Sequence, residues 1–236
     1  MANLIEIKDI HHQVNPKFSI DLDQLFFQDG PIYALTGESG AGKSMLMKIL
    51  ALIEPLSHGT ITVFDQPANS KKEKLALRRR LGYLPQEPYL FKGTVAENIA
   101  MGLEFRGQSE DEITPRLTRL LSDFSLKEYA DISIERIPAS VRQLTAIVRT
   151  LAPHPEILML DEPMLHIDHI QYMHLVDYLK NLNSEHGVTI ILSTKSKDVV
   201  QRLANISINM RYGKIIRIRT GEHQIKSGDS AGLRGL

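Results

Sequence analysis

The chain has 236 residues, with 42% hydrophobic and 24% charged side chains, the make-up of a globular protein with a sizeable core. Lys plus Arg and Asp plus Glu both number 28, so no overall basic field recruits nucleic acid, and the absence of cysteine excludes disulfides and thiolate metal sites. The opening MANLIEIKDIHH has neither the basic start nor the apolar run of a signal peptide, and no apolar stretch approaches the roughly 20 residues that span a bilayer.

Near alternation at Leu4, Ile5, Ile7 and Ile10, then at Phe18, Ile20 and Leu22, predicts two half-buried strands. Adjacent His11 and His12 on a strand point to opposite faces, so they are expected as solvated or loosely packed side chains rather than as a metal site. Ile32 to Leu35 predicts a buried strand and Lys43 to Ile53 a helix, with a glycine-rich loop between them. Ile61 to Phe64 and Gly82 to Leu84 predict further strands. Thr94 to Leu126 reads as helical, with capping boxes at Thr94/Glu97 and Ser109/Glu112. Ile157 to Leu160 and Val188 to Leu192 predict buried strands, with a helix from Ile170 to Leu182 that stops near Gly187. Ile206 to Met210 and Lys214 to Ile218 flank Tyr212-Gly213 as a hairpin, and the tail 221–236 is polar, glycine-rich and expected to be mobile. Strands and helices alternate at both ends around a helical insertion of about 87–150, which predicts an α/β core with an α-helical subdomain in one domain, 1–236.

The loop Gly37, Glu38, Ser39, Gly40, Ala41, Gly42, Lys43, Ser44 reads GESGAGKS. It fits G-x-x-x-x-G-K-[ST] between a strand and a helix, the context that motif requires. Its glycines let successive N–H groups turn inward onto phosphate oxygens, and the helix start adds partial positive charge. Lys43 is placed to reach the β- and γ-phosphates, Ser44 to ligate Mg²⁺, and Met45 follows in the first helical turn. EILMLDEP then puts Asp161 at the end of a buried strand as a second Mg²⁺ ligand and Glu162 as a candidate general base. "DEP" alone is a common turn; the upstream phosphate loop makes it a site.

These two motifs resemble the ATP-binding subunits of ABC transporters, and the resemblance runs in family order through about residue 220. RRRLGYLPQEPYLF resembles the family's Q-loop, which implies Gln86 as the glutamine that meets Mg²⁺ and the attacking water. DEPMLHID resembles the Walker B and D-loop pair, with Asp168 as the D-loop aspartate. LFKGTVAENIAMGLEFRGQSEDEI looks like the helical subdomain of small import-type subunits, including those for oxyanions, with a compact iron-homeostasis-type or lipid-trafficking-type subunit as the alternative. The implied fold is a P-loop NTPase core with a mixed sheet, an antiparallel β subdomain and an α-helical subdomain. The implied cofactors are ATP and Mg²⁺. The implied partners are a membrane permease, a second ATP-binding subunit (homo- or heterodimer) and, for an importer, a substrate-binding protein. The implied location is cytoplasmic, peripheral on the membrane face.

Three positions depart from the family. Its signature reads LSGGQ before a helix close to RQRVAIARAL; Arg142, Gln143, Ala146, Ile147, Arg149 and Leu151 match that helix without a gap. The loop therefore aligns as IPASV, with Pro138 in place of the serine, Ala139 and Ser140 in place of the glycines, and Val141 in place of the glutamine. Proline offers neither hydroxyl nor N–H to a phosphate. Ser140 either restores a hydroxyl contact or caps the helix with Gln143, and the capping box is the expected role. Lys195 stands where the family has its switch histidine. Val14 aligns with the adenine-stacking aromatic, Phe18 being the alternative if the loop curls. Slow hydrolysis, or a nucleotide-gated regulatory subunit with little turnover, is the expectation these departures raise. Tyr89, Leu90 and Phe91 form an apolar cluster that either docks a permease or packs inside the subdomain.

Overall fold

The computed structural model describes residues 3–221. Most of the polar tail anticipated at 221–236 lies outside the described residues.

The N-terminal third builds an antiparallel sheet. β1 (Asn3–Asn15) and β2 (Phe18–Gln28) form a long hairpin, and β4 (His58–Val63) with the short β5 (Gln66–Pro67) complete the order β2-β1-β4-β5. Between them the chain lays down β3 (Ile32–Thr36) and α1 (Lys43–Leu50) of the second sheet. That sheet has the order β10-β9-β3-β8-β7-β6 and continues with β6 (Leu81–Leu84), β7 (Ile157–Asp161), β8 (Thr189–Ser193), β9 (Ile206–Arg211) and β10 (Lys214–Thr220). Strands β6, β7, β8, β3 and β9 pair in parallel; β10 alone returns antiparallel.

The central strands are apolar at nearly every position because both faces are covered. Leu158, Leu160, Ile190 and Leu192 join a core with the helices on one face. Ile157, Met159, Ile191, Ile208 and Met210 join a second core with α1 and the antiparallel sheet on the other. The first core is built by α3 (Val95–Glu104), α4 (Glu110–Asp123), α5 (Ala139–Leu151) and α6 (His169–His186), closed at its edge by α7 (Lys197–Leu203). The remaining helix, α2 (Lys71–Arg78), starts at Ser70 with a capping box to Glu73 and was not foreshadowed by the hydrophobic pattern, because it buries only Leu77.

The helical stretch expected from Thr94 to Leu126 breaks in two at Gly107, whose φ of 76° lies in the left-handed region. α1 ends earlier than expected: Leu52 takes φ 59° and the Ile53 N–H closes onto the Lys48 carbonyl, ending the helix after Leu50. Gly187, at φ 66°, terminates α6 as anticipated. The histidine expectation needs one correction. His11 and His12 do face opposite ways, but only His11 is exposed; His12 is 5% exposed and its Nδ1 lies 3.2 Å from the Ser57 hydroxyl, a packed position rather than a solvated one.

The β9–β10 turn joins the two sheets. The Gly213 N–H donates to the Ala41 carbonyl of the glycine-rich loop at 3.0 Å, and the Gly213 carbonyl accepts from the Asp21 N–H at 3.0 Å. A Cβ on Gly213 would sit 1.8 Å from the Ser19 carbonyl oxygen at φ 75°, whereas one on Gly187 would meet nothing within 4 Å. Gly213→Ala should therefore destabilise the protein by about 2–4 kcal/mol and Gly187→Ala by only about 1 kcal/mol, the latter being backbone strain alone. Equilibrium urea unfolding of both variants measures the difference; equal losses would show that the contact at Ser19 is relieved without cost.

Candidate functional site

Four loops leave the carboxyl ends of β3, β6, β7 and β8 on one edge of the parallel sheet, the place where open α/β sheets bind ligands. Together with the β1–β2 turn they line a cleft of about 280 Å³ whose walls are Asn15, Phe18, Ser39, Gly40, Ala41, Gly42, Lys43, Ser44, Met45, Gln86, Glu162 and Lys195.

The loop after β3 curls because its glycines take positive φ: 140° at Gly37, 78° at Gly40 and 104° at Gly42. A side chain at Gly37 would run into the Met210 carbonyl at 2.3 Å, and one at Gly42 into Ile20 at 2.5 Å. Within this curl the Lys43 ammonium donates to the Gly37 carbonyl at 2.8 Å and to the Glu38 carbonyl at 3.0 Å. Lys43 is 6% exposed, and burial depresses its pKa against the opposing pull of Glu162.

Across the cleft, Asp161 ends β7 and is 1% exposed. Ser193, the last residue of β8, donates its hydroxyl to Asp161 and accepts the Glu162 N–H at 3.0 Å. Glu162 sits at φ 48°, a strained turn that swings its side chain into the cleft. Burial raises its pKa; the charges of Lys43 and Lys195 oppose that rise and Asp161 adds to it. Its Oε1 is buried without a hydrogen-bond partner among the described residues. A carboxylate of this kind is an acceptor in search of a donor.

The candidate residues fall into three groups. Gln86 and Lys195 line the cleft from exposed positions, and Ser44 and Met45 do so from the first turn of α1. Gly37, Glu38 and Asp161 stand behind the lining, the first two holding Lys43 and the third held by Ser193. Val14 is not in the cleft; it packs against the core beneath the antiparallel sheet, because the Asn15–Phe18 turn carries Phe18 to the cleft instead. Sequence reasoning missed Ser193 and Asn15, polar residues with no motif of their own.

Pro138, Ala139, Ser140 and Val141 do not line this cleft. Pro138 is the N-cap of α5, with φ −58°, and the helix begins at Ala139, so Ser140 lies inside the first turn and makes no cap. Gln143 is 3% exposed and donates to the Pro163 carbonyl at 3.2 Å, which ties α5 to the turn that follows Glu162. The expected Ser140–Gln143 capping box is thus absent: Pro138, two positions before Ser140, already occupies the N-cap. Pro138 and Ala139 are exposed, while Val141 is buried with Ile137 in the helical core. Asp168 caps α6, accepting from the Gln171 N–H at 2.8 Å.

The family description "ABC transporter" matches residues 22–165. This chain belongs to the ABC transporter family. It is 33% identical over 224 residues to a methionine import ATP-binding protein of Lactobacillus johnsonii, covering 92% of this chain and 64% of that one. The corresponding protein of Escherichia coli O157:H7 is 32% identical over 220 residues, with 92% and 64% covered. The chain therefore spans a little under two thirds of the length of these ABC relatives. Among solved structures it superposes on the dimeric ATP-binding cassette MJ0796, in a post-hydrolysis state bound to ADP and Pi, with TM-score 0.83 at 22% identity, covering 92% and 98% of the two chains. It superposes on cbiO1 of Clostridium perfringens, part of the ABC transporter complex cbiONQ, with TM-score 0.81 at 24% identity, covering 93% and 89%. The fold is that of the ABC ATPase cassette.

The electrostatics of the cleft carry a stability consequence. A carboxyl whose folded pKa is raised favours the folded state while protonated and loses that advantage as pH rises through the folded value. Glu162→Gln should therefore raise the melting temperature of the nucleotide-free protein at pH 8, and the gain should fade as pH falls toward about 4.3, where both states of a glutamate protonate. Scanning calorimetry across pH tests this; a gain independent of pH would mean that the carboxylate charge is not what strains the site.

Proposed function

We propose that this chain is the ATP-binding motor subunit of an ABC importer, in which MgATP binding and hydrolysis drive a separate membrane permease. The observation that carries this reading is the convergence of Lys43, Ser44, Gln86, Glu162 and Lys195 on one cleft. Lys43 then neutralises the β- and γ-phosphates, and the N–H groups of residues 39–45 wrap them. The oxygen donors Ser44, Gln86 and Asp161 suit Mg²⁺, a hard cation that keeps most of its coordination for phosphate and water. Bound there, Mg²⁺ neutralises charge that builds on the phosphates. Glu162, with its unpaired Oε1 and raised pKa, accepts a proton from the attacking water, oriented by Gln86. Phe18 supplies an apolar surface at the cleft mouth for the base.

The import direction rests on relatives that are methionine import ATP-binding proteins. Cargo would be chosen by the permease and, for an importer, a substrate-binding protein. No helix among the described residues is long and apolar enough to cross a membrane. The proposed place, peripheral on the cytoplasmic face, follows from the reading as the partner of a membrane permease. A second subunit, identical or not, would present its signature loop to this cleft, as the exposure of Pro138 and Ala139 allows. Docking falls to the segment after Gln86: Tyr89 is 70% exposed, Phe91 is 41% exposed, and the two rings meet edge to face at 5.2 Å. Arg149 stiffens that surface, donating to the Tyr89 carbonyl at 2.7 Å, while Leu90 packs inward against the core. Tyr89→Ser with Phe91→Ser should release the subunit from membranes that hold its permease and leave MgATP binding intact. Lys43→Ala should do the reverse, weakening MgATP roughly 10-fold or more. Sedimentation and titration calorimetry read both; a double variant that still pellets with the permease would remove this docking surface.

A second reading, a nucleotide-gated subunit with little turnover, is favoured by Pro138 at the helix start, where no hydroxyl is offered. Losing one well-aimed donor to a developing phosphate charge costs roughly 10²–10³ in rate. Pro138→Ser, Ala139→Gly and Ser140→Gly combined with Lys195→His, leaving buried Val141 in place, should raise single-turnover hydrolysis by about 10²-fold. Adding Glu162→Gln should abolish the gain. A native chain already as fast as the rebuilt one would identify Lys195 and the Pro138–Ser140 loop as working replacements.

A further inference from the structure

At the opposite edge of the parallel sheet lies a larger cavity of about 680 Å³, in the range of small-molecule sites. It opens at the amino ends of β7 and β8, beside Glu156 and Val188, so a five-residue strand of roughly 16 Å separates it from the nucleotide cleft. Its lining includes the apolar side chains Leu4, Phe64, Leu151, Pro155 and Leu182 together with Arg116 and Arg119 from α4, His154 from the α5–β7 turn and His186 from the end of α6.

The two arginines are only partly neutralised. Arg116 has no carboxylate within 4.0 Å among the described residues; its Nε donates to the Ala152 carbonyl at 3.4 Å, its side chain also hydrogen-bonds Tyr178, and Asp123 favours its charge from further off. Arg119 meets Asp123 at 3.6 Å across a helical turn and is largely exposed. Glu156, which also lines the cavity, is paired with Arg80 at 2.5 and 2.6 Å. Asp29 and Glu185 also border the cavity. Neither contributes at His154, whose pKa is lowered by burial and then by Arg116, His186 and Arg119, with no carboxylate opposing. His154 also holds a left-handed backbone, φ 52°, which a residue with a Cβ takes at a cost. Two arginines beside apolar lining residues favour an anion that carries an apolar body.

We propose that this cavity binds a small organic anion, a phosphate or carboxylate headgroup on an apolar body, at a site separate from the nucleotide cleft. The headgroup pairs with the Arg116 guanidinium and accepts a hydrogen bond from the neutral His154 ring, and Arg119 adds charge from the rim. The body lies against Leu151, Pro155 and Leu182. Because α4 belongs to the helical insertion that leads into α5 and Pro138, while His154 and His186 belong to the sheet and α6, an occupant bridges the two lobes. Occupancy would thereby bias the position of the segment that a partner subunit must meet.

The test uses the full chain saturated with MgADP, so that the phosphate loop is filled, with phenyl phosphate, benzoate and inorganic phosphate as probes in titration calorimetry. Phenyl phosphate or benzoate should bind, and the two together report which headgroup is preferred; inorganic phosphate should bind more weakly than phenyl phosphate because it lacks the apolar body. Arg116→Gln should weaken the organic probe roughly tenfold or more while MgADP affinity stays unchanged. His154→Asn, chosen because asparagine tolerates the left-handed backbone, should weaken it severalfold and stands in should Arg116→Gln fold poorly. The proposal is overturned if neither organic probe binds the native chain, if MgADP competes them away, or if the folded variants bind them as the native chain does.

Discussion

The structure depends on one buried ammonium held in place by backbone. Lys43 is nearly sealed from water, yet its partners are two carbonyls of its own loop, Gly37 and Glu38, and not a carboxylate. Carbonyls orient the amine without neutralising it, so its charge stays available to a phosphate. Everything that shapes the loop serves that arrangement. Gly37 must pass against the Met210 carbonyl of β9, Gly42 must pass against Ile20 of β2, and Gly213 must thread between Ala41 and Ser19. Both sheets therefore hold the loop, and neither sheet alone would form it.

The same edge gathers the opposing charges. Ser193 accepts from the Glu162 backbone and donates to Asp161, which separates the two neighbouring carboxylates by function: one is sealed and hydrogen-bonded, the other is turned into the cleft with an unpaired oxygen. Burial disfavours the charged forms of both Lys43 and Glu162, and each is the other's principal compensation. On the proposed function, a polyphosphate with its counter-ion would relieve the burial cost of both groups. Gln143 reaches the Pro163 carbonyl from α5, so the helix that begins at Pro138 is mechanically joined to the turn carrying Glu162.

Much of this was legible in the chain. The phosphate loop is a local motif whose glycines and lysine act within eight consecutive residues, and the parallel strands announce themselves as apolar runs because both faces are buried. The departures at Pro138 to Val141 were also visible, but their consequence was misjudged at Ser140. A serine three residues before a glutamine signals a capping box, and only the backbone reveals that proline had already taken the N-cap. The helices α2 and α7 escaped notice because each buries only one or two residues, too few for a periodic signal.

The sequence by itself determined the chemistry on offer: a glycine-rich loop that ends in lysine and serine, a paired acid after a buried strand, and a proline where the resembling family has a serine. Those are properties of residue type at short spacing, where covalent geometry enforces proximity. The tertiary structure alone decided which distant side chains share a cleft. It brought Phe18 rather than Val14 to the nucleotide edge, because the turn after β1 reverses the chain there, and it placed Ser193 between two acids that precede it by about thirty residues. It also assembled Arg116, His154 and His186 around one cavity from three segments whose sequences carry no common motif. Such groupings follow from sheet order and helix packing, which are long-range, and no local pattern encodes them.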